Sequence, residues 1–367
     1  MFSLSNLKPI TLTVAIAASA AVCTFASAEE IITDLPPVLD QAGNIVPDGL
    51  VSLERVTLGG VEQTILIRGA SADLPVLLFL HGGPGGALIP WVEFFHTPLL
   101  EENFTVVHWD QRGAGSSFNT DLTVEDITPE LMIADTLELS NILRERFGRD
   151  QIFLAGQSWG SALGFMTIAE DSSPFLAFIA ISERVEWDRS MTMGFDWVVE
   201  QAEAHGDAEI LAQLQAIEPF DSFDESDLEV QRQALDFYRG GDYHTVGLWD
   251  TILAYTFNGE SPYYTMDQIN SYIPGLGLSS AAIETGDILS TYNLFESFPV
   301  SDIPVHFITG TEDHNTTGEL AYEYYEALEA PTKSFTWIEG AAHMVMMDQP
   351  DAWAEAMVEI RNLTLNQ

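Results

Sequence analysis

The chain has 367 residues, with 56 acidic side chains against 13 basic ones, a formal net charge of −43 and 46% hydrophobic residues. So negative a protein excludes nucleic acid and anionic membrane surfaces as partners, because both are polyanions. The apolar content excludes a disordered chain, so the acids coat a folded surface whose self-repulsion salt relieves over a short Debye length.

In chain order, the N-terminus carries Lys8, then an uncharged run of apolar and small residues from Pro9 to Phe25, closed by Ala26-Ser27-Ala28. This is the pattern of a secretory signal peptide with an A-x-A cleavage site, too short and too interrupted by Ser and Thr for stable membrane insertion. Residues 1–28 are therefore expected to be removed and the protein to be periplasmic or secreted. A cut after Ala28 leaves about 339 residues, enough for one large core with an inserted lid or for two domains. It also removes Cys23, the single cysteine, so disulfides and cysteine-based chemistry fall away.

Residues 29–50 contain Pro36-Pro37, Pro47 and Gly49 and read as an extended leader. Two β-rich runs follow, 51–58 and 61–69, separated by Gly59-Gly60, which predicts a hairpin. Continuous apolar runs at 75–80, 104–110, 151–156, 175–182 and 303–310 predict strands covered on both faces, and 333–340 follows as the last strand. Between several of them lie helical periods, such as 131–148, where apolar residues recur at steps of three and four. The fold class predicted is α/β, a mostly parallel sheet with helices on both faces, whose ligands collect at the carboxyl ends of the strands. From Glu183 to about Pro299 the alternation stops, and this helical, aromatic stretch holds 22 acidic residues against 4 arginines. It reads as a cap inserted between core segments 29–182 and 300–367.

The chemistry lies in loops after strands. HGGPGG (81–86) can turn backbone N–H groups toward a substrate oxygen, because several of its residues lack a β-carbon. In WDQRGAGSS (109–117), Asp110 and Arg112 are expected to form an ion pair that fixes the loop. GQSWGS (156–161) places Ser158 between two glycines after a strand, on a turn tight enough to expose its hydroxyl as a nucleophile. A serine hydroxyl needs a base, and the base needs an acid to hold its tautomer. Both stand at later strand ends: Asp313 in ITGTEDHNT and His343 in IEGAAHM. The order Ser158, Asp313, His343 is that of α/β-hydrolases. Glu312 is an alternative acid, His314 and His306 are read as structural, and His81 as a loop organiser. The histidines at 96, 108, 205 and 244 form no zinc-binding spacing, so neither a metal nor a cofactor is expected.

With HGGPG, WDQRGAG, GQSWGS, the late Asp and the late His in order, the sequence resembles the proline iminopeptidase (prolyl aminopeptidase) family of α/β-hydrolases from about residue 51 onward. The resemblance implies a capped, eight-stranded hydrolase with Ser158 as nucleophile, Asp313 as acid and His343 as base. It also implies oxyanion donors at the backbone N–H groups of Trp159 and Gly83. Enzymes of this family hold the substrate's free amine with cap carboxylates, a role that would fall to Glu183 and Glu186. The substrate implied is a small peptide with N-terminal proline or a similar residue. A carboxylesterase with the same three residues, and a non-catalytic binding protein on this fold, are the alternative readings.

Overall fold

The computed structural model describes residues 32, 34–217, 225–284 and 291–366; the expected signal peptide lies outside these residues. Eight strands form one sheet: β1 (Leu50–Leu58), β2 (Val61–Gly69), β3 (Val76–Leu80), β4 (Thr105–Asp110), β5 (Ile152–Gln157), β6 (Phe175–Ile181), β7 (Val305–Gly310) and β8 (Lys333–Ile338). Their spatial order is β1-β2-β4-β3-β5-β6-β7-β8. β1, β2 and β4 pair antiparallel, and every later pairing is parallel.

The parallel strands are made of Val, Leu, Ile and Phe because side chains on both faces are covered. Alternation along each strand divides the core. Leu78, Leu80, Leu154 and Phe178 pack on one face, with the helices Pro129–Phe147 and Trp159–Glu170. Leu77, Phe79, Phe153 and Ile179 pack on the other, with Trp353 and Met357 of the helix Pro350–Leu365. The helix Pro129–Phe147 has the end signals its sequence carries. The Thr128 side chain accepts from the Leu131 N–H, Pro129 occupies the first turn, and Gly148 closes the helix at φ 60°.

Chain order and spatial order part company at β3. The chain leaves β3 for β4 on one side, then crosses back to β5 on the other side of β3. That reversal opens a crevice at the carboxyl ends of β3 and β5. HGGPGG leaves β3 there and GQSWGS leaves β5 there, so the switch point brings the two motifs together.

Between β6 and β7 all described regular elements are helical: Trp187–His205, Ala208–Leu214, Glu225–Phe237, Leu248–Phe257, Met266–Glu284 and Leu294–Ser297. Met266–Glu284 lies on the motif loops. A Cβ on Gly275 would stand 2.7 Å from the Gly113 carbonyl oxygen, and one on Gly85 would stand 2.8 Å from the Ser279 Cβ. Among the described residues no helix is long and apolar enough to cross a membrane.

Candidate active site

Ser158 stands between β5 and the helix Trp159–Glu170 with φ 54° and ψ −118°. A non-glycine residue at positive φ is strained, and here the neighbours enforce it. A Cβ on Gly156 would lie 2.1 Å from the Gly160 carbonyl oxygen, and one on Gly160 would lie 2.1 Å from the Leu80 carbonyl oxygen. The two glycines thus let the strand end, the helix start and β3 meet backbone to backbone. Ser158 is 4% exposed, which leaves its hydroxyl at the edge of the interior.

His343 and Asp313 converge from the loops after β8 and β7. His343 Nδ1 lies 3.1 Å from Asp313 Oδ2. Asp313 also accepts from the backbone N–H groups of Asn315 (3.1 Å) and Thr316 (3.0 Å) and from the Thr316 hydroxyl (2.9 Å). Burial alone would raise the Asp313 carboxyl, but the adjacent imidazole and these donors together hold it below its ordinary value. For His343 burial pulls downward, while the charge of Asp313 and its hydrogen bond outweigh burial and hold the imidazole above 6.5. Among the described residues no hydrogen bond joins the Ser158 hydroxyl to this imidazole. The two loops are linked instead by Gln157 Nε2, which donates to the His343 carbonyl at 3.3 Å, and by the Ser182 hydroxyl, which donates to the same oxygen at 2.8 Å.

The helical stretch between β6 and β7 holds these loops through backbone hydrogen bonds. His314 donates its backbone N–H to the Gly240 carbonyl, His343 to that of Gly241 and Met344 to that of Asp242. Thr316 and this Gly240–Asp242 clamp escaped the sequence reading. Thr316 had a local signal, since Asp-x-x-Thr suits side-chain bonding within a turn, whereas backbone contacts between distant loops leave no side-chain signature.

The HGGPGG loop adjoins Ser158: a Cβ on Gly82 would come 3.1 Å from the Ser158 Cβ. The backbone N–H groups of Gly83 and Trp159 donate to no acceptor among the described residues, so both remain available to a ligand. His81 is buried, which drives its imidazole down to about 4, so it is neutral. Its Nδ1 meets the Gly82 carbonyl (2.9 Å) and its Nε2 accepts from the Gln111 N–H (3.2 Å). Gln111 continues the chain by donating to the His81 carbonyl (3.0 Å) and accepting from the Trp159 indole (3.3 Å).

The expected ion pair between Asp110 and Arg112 does not form. Arg112 makes a two-point pair with Asp135 in the helix Pro129–Phe147, at 2.8 and 2.9 Å. Asp110 accepts from the Ser116 N–H and hydroxyl and from the Tyr264 hydroxyl. The reason is directional: Asp110, at the end of β4, faces Tyr264 and Ser116, whereas Arg112 two residues on turns toward Asp135 and the Leu58 carbonyl. Burial lifts the Asp110 carboxyl to about 6 against the pull of Tyr264 and Ser116.

Neither expected amine-binding glutamate presents a free carboxylate. Glu183 has no solvent exposure, and burial raises its carboxyl well above the ordinary value despite smaller opposing effects of Ser161 and Arg184. Neither oxygen of Glu183 has a well-aligned hydrogen-bond partner among the described residues: the Ser161 hydroxyl, directed to the Ser158 carbonyl (2.5 Å), and the Arg184 backbone N–H stand near enough only to lower its carboxyl a little. Glu186 lies 3.6 Å from Arg189 and pairs its backbone with Asn293. His314 stacks on Trp197 at 4.0 Å, and His306 is buried against the Ser334 hydroxyl at 2.8 Å. His96 and His108 meet each other at 2.7 Å, the former also held by Glu101. Among the described residues no group of three or more His, Cys, Asp or Glu is placed to hold a metal ion.

A crevice at the switch point, a serine on a strained turn, and an Asp–His pair above it define a hydrolase of the α/β class. The alpha/beta hydrolase family matches residues 77–356, and the chain belongs to that family. It is 30% identical over 307 residues to the probable aminopeptidase YbaC of Bacillus subtilis (strain 168), across 83% of this chain and 94% of the relative. It is 34% identical over 113 residues to the proline iminopeptidase of Lactobacillus delbrueckii subsp. lactis, a stretch covering 30% of this chain and 37% of that one. The crystal structure of a Mycobacterium smegmatis proline iminopeptidase matches with TM-score 0.57 and 18% identity, over 85% of this chain and 98% of that one. A proline iminopeptidase-related protein from Thermus thermophilus matches with TM-score 0.58 and 21% identity, over 84% and 96%. At these identities the solved structures speak for the fold alone. Within its family the chain is similar to the aminopeptidase-named relative over most of its length and to the proline iminopeptidase over 30% of it.

Proposed function

We propose that the protein is a secreted serine hydrolase that releases an N-terminal residue, proline or a similar one, from short peptides through an acyl-enzyme. The observation that carries this reading is the Asp313–His343 pair, whose histidine loop is tied to Gln157 beside the strained Ser158. Ser158 Oγ attacks the scissile carbonyl as His343 Nε2 takes its proton. The developing oxyanion rests on the free N–H groups of Trp159 and Gly83, and His343 then protonates the departing amine. Water, activated by the same imidazole, releases the acyl group. Asp313 stays ionised and fixes the imidazole tautomer. The Ser158–His343 hydrogen bond is expected to tighten when substrate fills the site, as such contacts commonly do.

A panel of N-terminal proline arylamide, other aminoacyl arylamides, N-blocked peptides and short p-nitrophenyl esters tests the reading. Free-amine arylamides are expected to turn over and blocked peptides not. Turnover of esters alone would remove the peptidase assignment and leave a carboxylesterase, the alternative favoured by the absence of a free carboxylate at Glu183 and Glu186.

The pH dependence follows from the base. His343 works neutral and is held above 6.5, so kcat/KM is expected to rise with pH through an apparent pKa above that value and then level off. Asp313→Asn removes the charge that holds the imidazole up. Its acid limb is expected to move to lower pH, with a loss of about 10⁴ in kcat. A wild-type limb at or below 6.5, unmoved by Asp313→Asn, would contradict the assignment of His343 as base.

A further inference from the structure

Three buried residues just past β6 share an unusual condition. Both carboxyl oxygens of Glu183, Nε and Nη1 of Arg184 and the hydroxyl of Tyr292 have no well-aligned hydrogen-bond partner among the described residues. Buried polar groups in native proteins are nearly always bonded, so several orphans in one place call for an occupant. The three are neighbours: Glu183 and Arg184 both act electrostatically on Tyr292, and Arg184 acts on His343 and is acted on by Asp313. The segment is tied to the reacting loops, since the Ser182 hydroxyl holds the His343 carbonyl and the Ser190 carbonyl accepts from Thr317.

The hydrogen-bonding character of the cluster selects the occupant. Arg184 offers only donors and Tyr292 a phenolic O–H, while burial pushes the Glu183 carboxyl well above its ordinary value and so disfavours a negative charge there. Arg184 is braced by Trp187, whose ring lies 4.7 Å from its guanidinium carbon. Three arginines are buried among the described residues; Arg68 and Arg112 each have a carboxylate partner, and Arg184 has none. Arg184 and Tyr292 keep 8% and 9% of their surface and Glu183 none, while the orphaned atoms themselves lie inside.

We infer that Arg184, with Tyr292 and the Glu183 carboxyl beside it, receives a carboxylate carried by the substrate next to the scissile bond. This rests on the hydrolase reading above and narrows its substrate class to short peptides or esters with a free carboxylate, on either the acyl or the leaving-group side.

Two matched pairs test it at constant ionic strength. Mono-p-nitrophenyl glutarate against p-nitrophenyl valerate probes the acyl side; prolyl-glycine against prolyl-glycinamide probes the leaving side. The protein's overall field disfavours anions, so an unassisted site would prefer the neutral member of each pair. The wild type is expected to prefer the carboxylate in one pair by roughly tenfold or more in kcat/KM, the scale of one charge-assisted hydrogen bond, and that pair shows which side Arg184 serves. Arg184→Gln is expected to bring the ratio near one and Arg184→Lys to restore part of it. A ratio is insensitive to how much of a variant folds, and the wild-type measurement stands without any variant. Hydrolysis with no carboxylate preference in either pair, or a preference that survives Arg184→Gln, overturns the inference and leaves the hydrolase reading intact. No hydrolysis of any of the four compounds overturns both.

Discussion

Ser158→Ala is expected to lower kcat by about four to six orders of magnitude on any substrate the wild type turns over, with the fold unchanged. The size follows from the mechanism, because the hydroxyl forms the bond that splits one difficult hydrolysis into two easier steps. What survives is the contribution of the oxyanion donors at Gly83 and Trp159. A second substitution separates chemistry from strain. Ser158 sits at φ 54°, a conformation a residue with a β-carbon occupies at a cost of roughly 1–2 kcal/mol and glycine occupies freely. Ser158→Gly is therefore expected to be as inactive as Ser158→Ala yet to melt higher than it. Kinetics with an arylamide and an ester, labelling by a fluorophosphonate probe, and thermal melts of the three proteins provide the check. Near wild-type turnover or labelling of Ser158→Ala would sink the nucleophile assignment. Equal melting of the two variants would mean that the turn stores no strain.

Much of this architecture was legible in the sequence because it rests on local patterns. A strand covered on both faces must be apolar at every position, so VLLFL or FLAFIAI announces itself without reference to anything distant. That Ser158, Asp313 and His343 each follow a strand was legible for a related reason in the first two cases, where the strand is apolar and covered, and less so for His343, whose strand KSFTWI is half exposed. What stayed hidden depends on direction or burial. Asp110 and Arg112 are two apart in a loop, and proximity along the chain suggested a pair. The backbone between them turns Arg112 toward Asp135 and leaves Asp110 to Tyr264. Glu183 was expected to offer a carboxylate to the substrate's amine, and nothing local says that it lies wholly inside, where burial raises its carboxyl well above the ordinary value. The hold of the stretch between β6 and β7 on the Asp313 and His343 loops runs through the carbonyls of Gly240, Gly241 and Asp242. Those contacts are made by backbone atoms that every residue possesses.

Gly160→Ala is expected to be, with Gly156→Ala and Gly310→Ala, among the most destabilising glycine-to-alanine changes at the described residues. At Gly160 the added methyl would lie 2.1 Å from the Leu80 carbonyl oxygen, 2.7 Å from its carbon and 2.8 Å from the His81 carbonyl oxygen. All three are backbone atoms at the end of a central strand, so no side chain can swing aside to make room. Overpacking a core costs about 1–3 kcal/mol when side chains can yield, and here the rigid contact puts the loss at or above about 3 kcal/mol. A melting midpoint lower by roughly 6–12 °C is the expected reading. Activity should fall further than stability, because relief requires the helix Trp159–Glu170 to withdraw from β3. That movement would carry the Trp159 N–H and Ser158 away from Gly83. Gly277→Ala supplies the contrast. That glycine lies inside the helix Met266–Glu284, its backbone is not left-handed, and its Cβ would meet nothing within 4 Å. Alanine there is expected to stabilise by about 0.5–1 kcal/mol through helix propensity and a less flexible unfolded chain. If Gly160→Ala melted with the wild type and kept its activity, the close approach of β3, the nucleophile turn and its helix would be wrong. The distance from Ser158 to the oxyanion donors would then have no structural basis.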